Sequence, residues 1–446
     1  MAQARFSHSI DALKAIASDA LAHARQKGAS ACEAEASDGY GQNVTVRKNE
    51  VETIEYNRDK GLAVTVYVGK QKGHASTADF APRAIRDTVE AALTIARFTA
   101  ADECAGLADP EELASEPKEL DLFHPWELPV ERAIEIAKSC EAAAFRLDKR
   151  ITNSEGASVS CQQWHFALGN SHGFMQGYPT SRHSLSCAVI AAEDGHMQRD
   201  DWYVSQRSHK DLAQPQAVGD YAGRRALARL SSRKIPTVQA PVLFEAPMAN
   251  DLLATFVSAV SGGNLYRKAS FLLDSLGTQV FSPLVNIVER PHLRRGHASS
   301  WFDNEGVATR DREVVKDGVL RGYFLGSYSA RKLGMKTTGS AGGNHNLILE
   351  GGGLDLPGLI RTMGRGLLVT ELMGFGVNLV TGDYSRGAAG YWVEGGEIRH
   401  PVEEVTIAGN LREMFRAIVA IGSDTLTRGS RSCGSILIEG MTIAGN

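Results

Sequence analysis

The chain has 446 residues, 43% of them hydrophobic and 22% charged, with 48 basic against 52 acidic side chains and a formal net charge of −4. That length supplies real hydrophobic cores in two to three domains, and the composition is globular, which excludes disordered, collagenous and disulfide-scaffold classes. The near-neutral balance argues against a nucleic-acid or anionic-membrane surface as the main business of the chain, so neither is an expected partner. Glycine stands out: there are 45, well over half of them after residue 300.

In chain order, residues 9–27 read as a helix. Leu13, Ile16, Ala20, Leu21 and Ala24 fall on one face, and Gly28 is its stop. Short strand signals follow around Val44–Val46, Val51–Ile54 and Leu62–Val68, with turns expected at Lys48–Glu50 and Asn57–Gly61. Helices are predicted over about Pro82–Phe98 and Pro129–Phe145, on either side of a polar connector at 100–127. Strands return over Ile151–Ser205, and 209–232 reads as a basic helix. The segment Ser231–Pro236 looks like a linker, which places the expected domains at 1–235 and 236–446.

Beyond it, Pro241–Glu245 reads as a strand and 247–260 as a helix. Short apolar runs then alternate with glycine-rich turns: Leu347–Leu349, Gly366–Val369, Val377–Val380, Val402–Ile407 and Ile436–Ile438, with one amphipathic helix at 411–421. The expected fold class is α+β. N-terminal helices pack on a sheet, and a large, mainly antiparallel, β-rich C-terminal domain carries a few helices.

The first residues carry Asp11, Lys14 and Asp19, which break any signal-peptide apolar core, and no apolar run is long enough to span a bilayer. Six cysteines are scattered without CxxC spacing. Reduced thiols and a cytoplasmic location are the expectation.

Chemistry-bearing motifs are thin. No HExxH occurs, and His292 and His297, five apart in a loop-like context, would stand about 140° apart on a helix. His165 and His172 flank Gly169-Asn170, where a hairpin turn would bring them across from each other. Ser385 lies in Gly382-Asp383-Tyr384-Ser385-Arg386-Gly387, which is not G-x-S-x-G, and reads first as a turn with an exposed arginine. Cys433 precedes a strand with no base evident beside it, so a buried thiol is the simpler reading. The clusters Gly339–Gly343 and Gly351–Gly353 lack the following Lys-Ser/Thr of a nucleotide loop. They fit turns, or strands that a foreign backbone approaches closely.

Long stretches resemble a known family. FDNEGVATRDREVVKDGVLRGYFLGSYSARKLGMKTTG at 302–339, LLVTELMGFGVNLVTGDYSRGAAGYWVEGGEI at 367–398, VEEVTIAGNLREMF at 402–415 and CGSILIEGMTIAG at 433–445 are similar to the TldD/PmbA family, in its PmbA (TldE) branch. The N-terminal VRKNEVETIEYNRDKGLAVTVYVG agrees, so the resemblance covers essentially the whole chain. It implies a heteromeric zinc metalloprotease that degrades or processes unfolded peptides, in which a TldD-type subunit carries HExxxH and a C-terminal cysteine ligand. The matching segment here is FEAPMA: Phe244 and Ala249 stand at the two histidines, Glu245 at the glutamate and Cys433 at the third ligand. Phenyl and methyl groups offer zinc no lone pair.

The resemblance therefore implies no catalytic residue and no metal on this chain, with zinc in a TldD-type partner. It further implies partner and peptide binding here, with Gly382–Gly387 as the candidate segment, and homodimers when the partner is absent. Two alternatives stand beside it. One is an autonomous hydrolase using Cys433 with Glu245 or a histidine; the other is a peptide-binding module without protease activity.

Overall fold

The computed structural model describes residues 6–445. Its Cα packing divides the chain into two compact units. The first runs to Leu227 and also takes in Arg294–Gly296 and Trp301–Ala308; the second holds the remainder. The fold class is α+β, as expected from the sequence.

In the first unit, helix α1 (Ile10–Gln26) starts where the Ser9 hydroxyl accepts the Ala12 N–H at 3.1 Å. Strands β1 (Ala31–Arg47), β2 (Glu50–Val68) and β3 (Gln71–Thr77) precede helix α2 (Pro82–Phe98), which has proline in its first turn. Then come α3 (Val130–Leu147), β4 (Ile151–Asn170), β5 (Met175–Gln176), β6 (Pro179–Glu193), β7 (His196–Gln206) and α4 (Pro215–Ala228). The strands form one sheet in the order β3-β2-β1-β4-β6-β7, with β5 on β4, and every pairing is antiparallel. Leu13, Ala17 and Leu21 of α1 and Val89, Ala92 and Leu93 of α2 pack over Cys32, Ala34, Leu62, Val64 and Val66. Small residues at that contact let the helices sit close to the sheet.

The turn expected at Asn57–Gly61 does not exist. These residues continue β2, with Asn57 opposite Gly41 and Asp59 opposite Gly39. The only reversal between the two strands is at Lys48-Asn49, both with positive φ (51° and 62°). Local turn propensity yields to a cross-strand ladder that continues to Ala31. Residues 50–60 lie exposed at an edge that β3 does not reach. Glu50, Glu52, Glu55 and Lys60, with a register shift opposite Thr45/Val46, guard that edge against stray pairing. The basic helix expected at 209–232 is the shorter α4, preceded by a 3-10 turn at His209–Asp211.

In the second unit, β8 (Val238–Phe244), α5 (Ala246–Ala259), α6 (Gly262–Tyr266), β9 (Ile287–Glu289), β10 (Arg312–Lys316), β11 (Val319–Leu320), α7 (Ser327–Lys332), β12 (Leu347–Leu349) and α8 (Leu356–Met363) come first. They are followed by β13 (Arg365–Met373), β14 (Asp383–Glu394), β15 (Glu397–Asn410), α9 (Leu411–Arg416), β16 (Ile418–Ile421), β17 (Leu426–Arg428), β18 (Arg431–Cys433) and β19 (Ile436–Ala444). One sheet has the order β15-β14-β13-β8-β19-β16, and a further β15–β19 pairing closes it into a ring. The other has the order β11-β10-β9-β12-β18-β17. Pairings are antiparallel except β8–β13 and β12–β18.

Two expectations fail in this unit. The helix expected at 411–421 stops at Arg416, because Ile418–Ile421 pairs with Ile436–Ile438 of β19. Val377–Val380 is a turn rather than a strand: Asn378 donates its N–H to Asp383 O at 2.8 Å, and Gly382 returns one to Asn378 O at 2.8 Å.

Candidate functional site

The structure places Phe244, Glu245, Ala249 and Cys433 at one strand-to-helix corner. Phe244 ends β8, with Ile436 of β19 as its register partner. The Glu245 N–H donates to Val369 O at 3.0 Å, and the Glu245 carbonyl accepts from Met248 and Ala249 at 2.8 Å each, so α5 springs from the ring of strands. Pro247 lies in its first turn. Cys433, at the end of β18, lies against that turn with Sγ 3.8 Å from Ala246 O. The loop after it is clamped by Asp424, which accepts the Ser435 N–H at 3.0 Å and hydroxyl at 2.6 Å.

Phe244, Ala249 and Cys433 are fully buried in one apolar core. Burial pushes the Cys433 thiol up to about 12, with Asp424 raising it further against the opposing pull of Arg431. A thiol held there stays protonated at neutral pH and is a poor nucleophile. The donor set does not fit a zinc ion, since Phe244 and Ala249 offer no lone pair and Cys433 and Glu245 alone fall short of the three protein ligands and water that such a site needs.

The second candidate segment reaches the same corner through the alternation of β14. Tyr384 is buried, with its ring edge-on to Phe244 at 6.5 Å between centroids. Arg386 ion-pairs with Asp251 of α5. The Tyr384 hydroxyl is buried without a hydrogen-bond partner among the described residues, and desolvation raises its pKa. Asp383 and Ser385 point the other way and are exposed. Asp383 accepts from Thr381 Oγ1 at 2.6 Å and Asn410 Nδ2 at 3.2 Å, and the Ser385 N–H donates to Gly376 O at 2.6 Å. Gly382 supplies the positive-φ turn (85°) into the strand, and Gly387 pairs with Met373 of β13. The reading of this segment as a turn with an exposed arginine is therefore corrected. Only Gly382 is in the turn, and Arg386 is drawn in by Asp251.

Sequence reasoning missed Asp251 and Asp424, because nothing local marks a carboxylate whose partner is distant in the chain. It also passed over Phe375, which stands fully exposed between Gly374 and Gly376 on the β13–β14 connection. The histidines do not gather where a hairpin was expected. His165 lies within β4, buried and stacked on Phe6 at 3.8 Å, whereas His172 Nδ1 lies 3.1 Å from Ala108 O. Among the described residues no group of three or more His, Cys, Asp or Glu could hold a metal ion. No helix among the described residues is long and apolar enough to cross a membrane.

Three domain families match in succession: PmbA/TldA metallopeptidase domain 1 over residues 32–96, the central domain over 123–230 and the C-terminal domain over 237–445. The chain is 52% identical to Metalloprotease PmbA of Escherichia coli, covering 91% of this chain and 90% of that protein. It is 46% identical to the Haemophilus influenzae PmbA homolog, covering 97% and 96%, but 25% identical to the TldD homolog of the same organism. A solved structure from Bacteroides thetaiotaomicron aligns with TM-score 0.92 at 28% identity, covering 97% of this chain and 99% of that one. TldE from Thermococcus kodakarensis shares the fold, with TM-score 0.82 at 19% identity over 96% and 100% of the two chains. The chain belongs to the PmbA/TldD metallopeptidase family, in its PmbA (TldE) branch.

Proposed function

We propose that this chain is the partner- and peptide-binding subunit of a cytoplasmic, zinc-dependent TldD–TldE protease acting on unfolded peptides. In this reading the catalytic zinc belongs to a TldD-type subunit. One observation supports it: Phe244, Ala249 and Cys433, the positions that the resemblance sets against the family's zinc motif, are all buried without access to water in one corner. Such a corner contributes packing to α5 rather than a metal-bound hydroxide. The exposed side of the second segment, with Asp383, Ser385 and the neighbouring Phe375, is the surface left for contact with a peptide or partner. Without its partner the chain forms a homodimer through the surface built for its relative.

The test measures zinc content and cleavage of an unfolded peptide for the chain alone, for a TldD-type subunit alone and for the mixture. Cleavage confined to preparations containing the TldD-type subunit, with zinc tracking that subunit, is the expected result. Stoichiometric zinc and cleavage by this chain alone would overturn it. The thiol-hydrolase alternative predicts that Cys433→Ala abolishes any activity of the isolated chain. The buried, protonated state of Cys433 weighs against it.

A further inference from the structure

A cavity of about 500 Å³ lies in the first unit, between the β1–β2 turn and α3. Lys48, Lys138 and Arg146 line it, and none of the three has an ion-pair partner among the described residues. Cations nearby are treated differently: Arg150 is bound by Asp148 at 2.8 Å and Glu193 at 2.9 Å, and Arg47 faces Glu52 at 3.6 Å. The one carboxylate in the cavity wall, Glu141, is 2% exposed and already engaged. Its two oxygens accept the N–H groups of Lys48 and Asn49 at 2.8 Å each, bracing the positive-φ turn. Glu141 thus fixes where Lys48 stands.

The rest of the wall is mainly apolar, with Ala142 and Phe145 of α3 half-buried in it. A free inorganic anion would leave most of this volume unfilled and the Phe145 ring without a contact. The volume is within the range of small-molecule sites, and converging cations beside an apolar wall concentrate anions there.

We propose that this cavity binds an organic anion with an apolar or aromatic body, its phosphate or carboxylate end facing Lys48, Lys138 and Arg146 and its body against Phe145. The site is independent of the protease reading, since it uses no residue of the α5 corner.

Calorimetric titration of the full chain with phenyl phosphate, benzoate, inorganic phosphate and phenol tests it. The expected result is saturable one-to-one binding of phenyl phosphate or benzoate, at least tenfold tighter than inorganic phosphate or phenol and weakening with salt. The tighter of the two identifies the anionic end. Lys138→Gln and Arg146→Gln, both on the rim and expected to fold normally, should each weaken binding by about tenfold, the scale of one charge-assisted contact. Phe145→Ala should abolish the preference for the aromatic anion over inorganic phosphate. No saturable binding to the unaltered chain, or binding unchanged in both rim variants, would overturn the proposal.

Discussion

The sheet of the first unit and the ring of strands in the second solve the edge problem in opposite ways. The sheet of the first unit is open: its strands run up to 20 residues, helices cover one face, and the exposed half of β2 is guarded by charge and a register shift. The ring of the second unit closes on itself through β15 and β19. Closure crowds backbone against backbone. A Cβ on Gly390 would lie 1.8 Å from Leu368 O, and one on Gly434 would lie 2.0 Å from Gly422 O. Part of the glycine excess of the last third has its cause in these close approaches, and part in positive-φ turns such as those at Gly334 and Gly343, where an added Cβ would meet nothing within 4 Å. The peptide-binding proposal rests instead on the exposed side of 383–385 and on Phe375.

The sharpest way to break this comparison is to remove a charge from each side. Glu289, 2% exposed in β9, is bound by Arg312 Nε at 2.6 Å and by the His345 N–H at 2.6 Å, and these partners together lower its pKa against its burial. Arg312→Leu leaves that carboxylate stranded and should cost about 3–5 kcal/mol. Denaturant melts should show the loss in the second unit. An equal loss from breaking the exposed Arg132–Glu135 pair, expected to be worth about 0.3–0.5 kcal/mol, would contradict the argument.

Next in size is the double substitution Phe244→His with Ala249→His. Placing two imidazoles in a fully buried apolar corner should destabilise the metal-free chain by about 2–4 kcal/mol, through overpacking and unmet hydrogen bonds. Saturating zinc should return part of the loss, and thermal melts with and without zinc read both effects. A double variant as stable as the parent would show that the corner is not packed as described.

Gly390→Ala should cost about 1–3 kcal/mol. Gly440→Ala, with nothing within 4 Å of its added Cβ, should stay within about 0.5 kcal/mol. Gly219 tests the same device in the open unit, because its Cβ would lie 1.9 Å from Cys140 O.

A further expected effect is a pH slope in the first unit. Burial, with lesser contributions from neighbouring His209 and His124, depresses His183 from 6.5 to about 4, against the raising effect of its hydrogen bond to His124 O at 2.8 Å. Between those values the unfolded chain binds the proton and the folded chain does not. Stability from this group is thus complete above about pH 6.5 and falls as the pH drops toward 4. Urea midpoints across that range should decline, and His183→Phe should flatten the decline. A slope that is the same in the variant would assign it to other groups.

Much of the local structure was legible in the sequence. Helices α1 to α3 and α5 announce themselves by apolar periodicity, with Pro82 and Gly28 marking ends. The strand-to-helix junction at Phe244 was legible in the strand signal of Pro241–Glu245 followed by the helix signal at 247–260. Asn57–Gly61 and 411–421 were misread because turn and helix propensities act over a few residues. Their outcome was set by the partner strands β1 and β19.

The sequence by itself determined the fold class and the positions of most helices, since these depend on residue type and short-range spacing. Tertiary structure alone decided that Cys433 lies against the first turn of α5, that Arg386 pairs with Asp251 of that helix, that Tyr384 meets Phe244, that Asp424 holds Ser435, and that Lys48, Lys138 and Arg146 have no ion-pair partner among the described residues. Those facts depend on which distant strands pair and on which carboxylates are already engaged. Short-range periodicity carries neither.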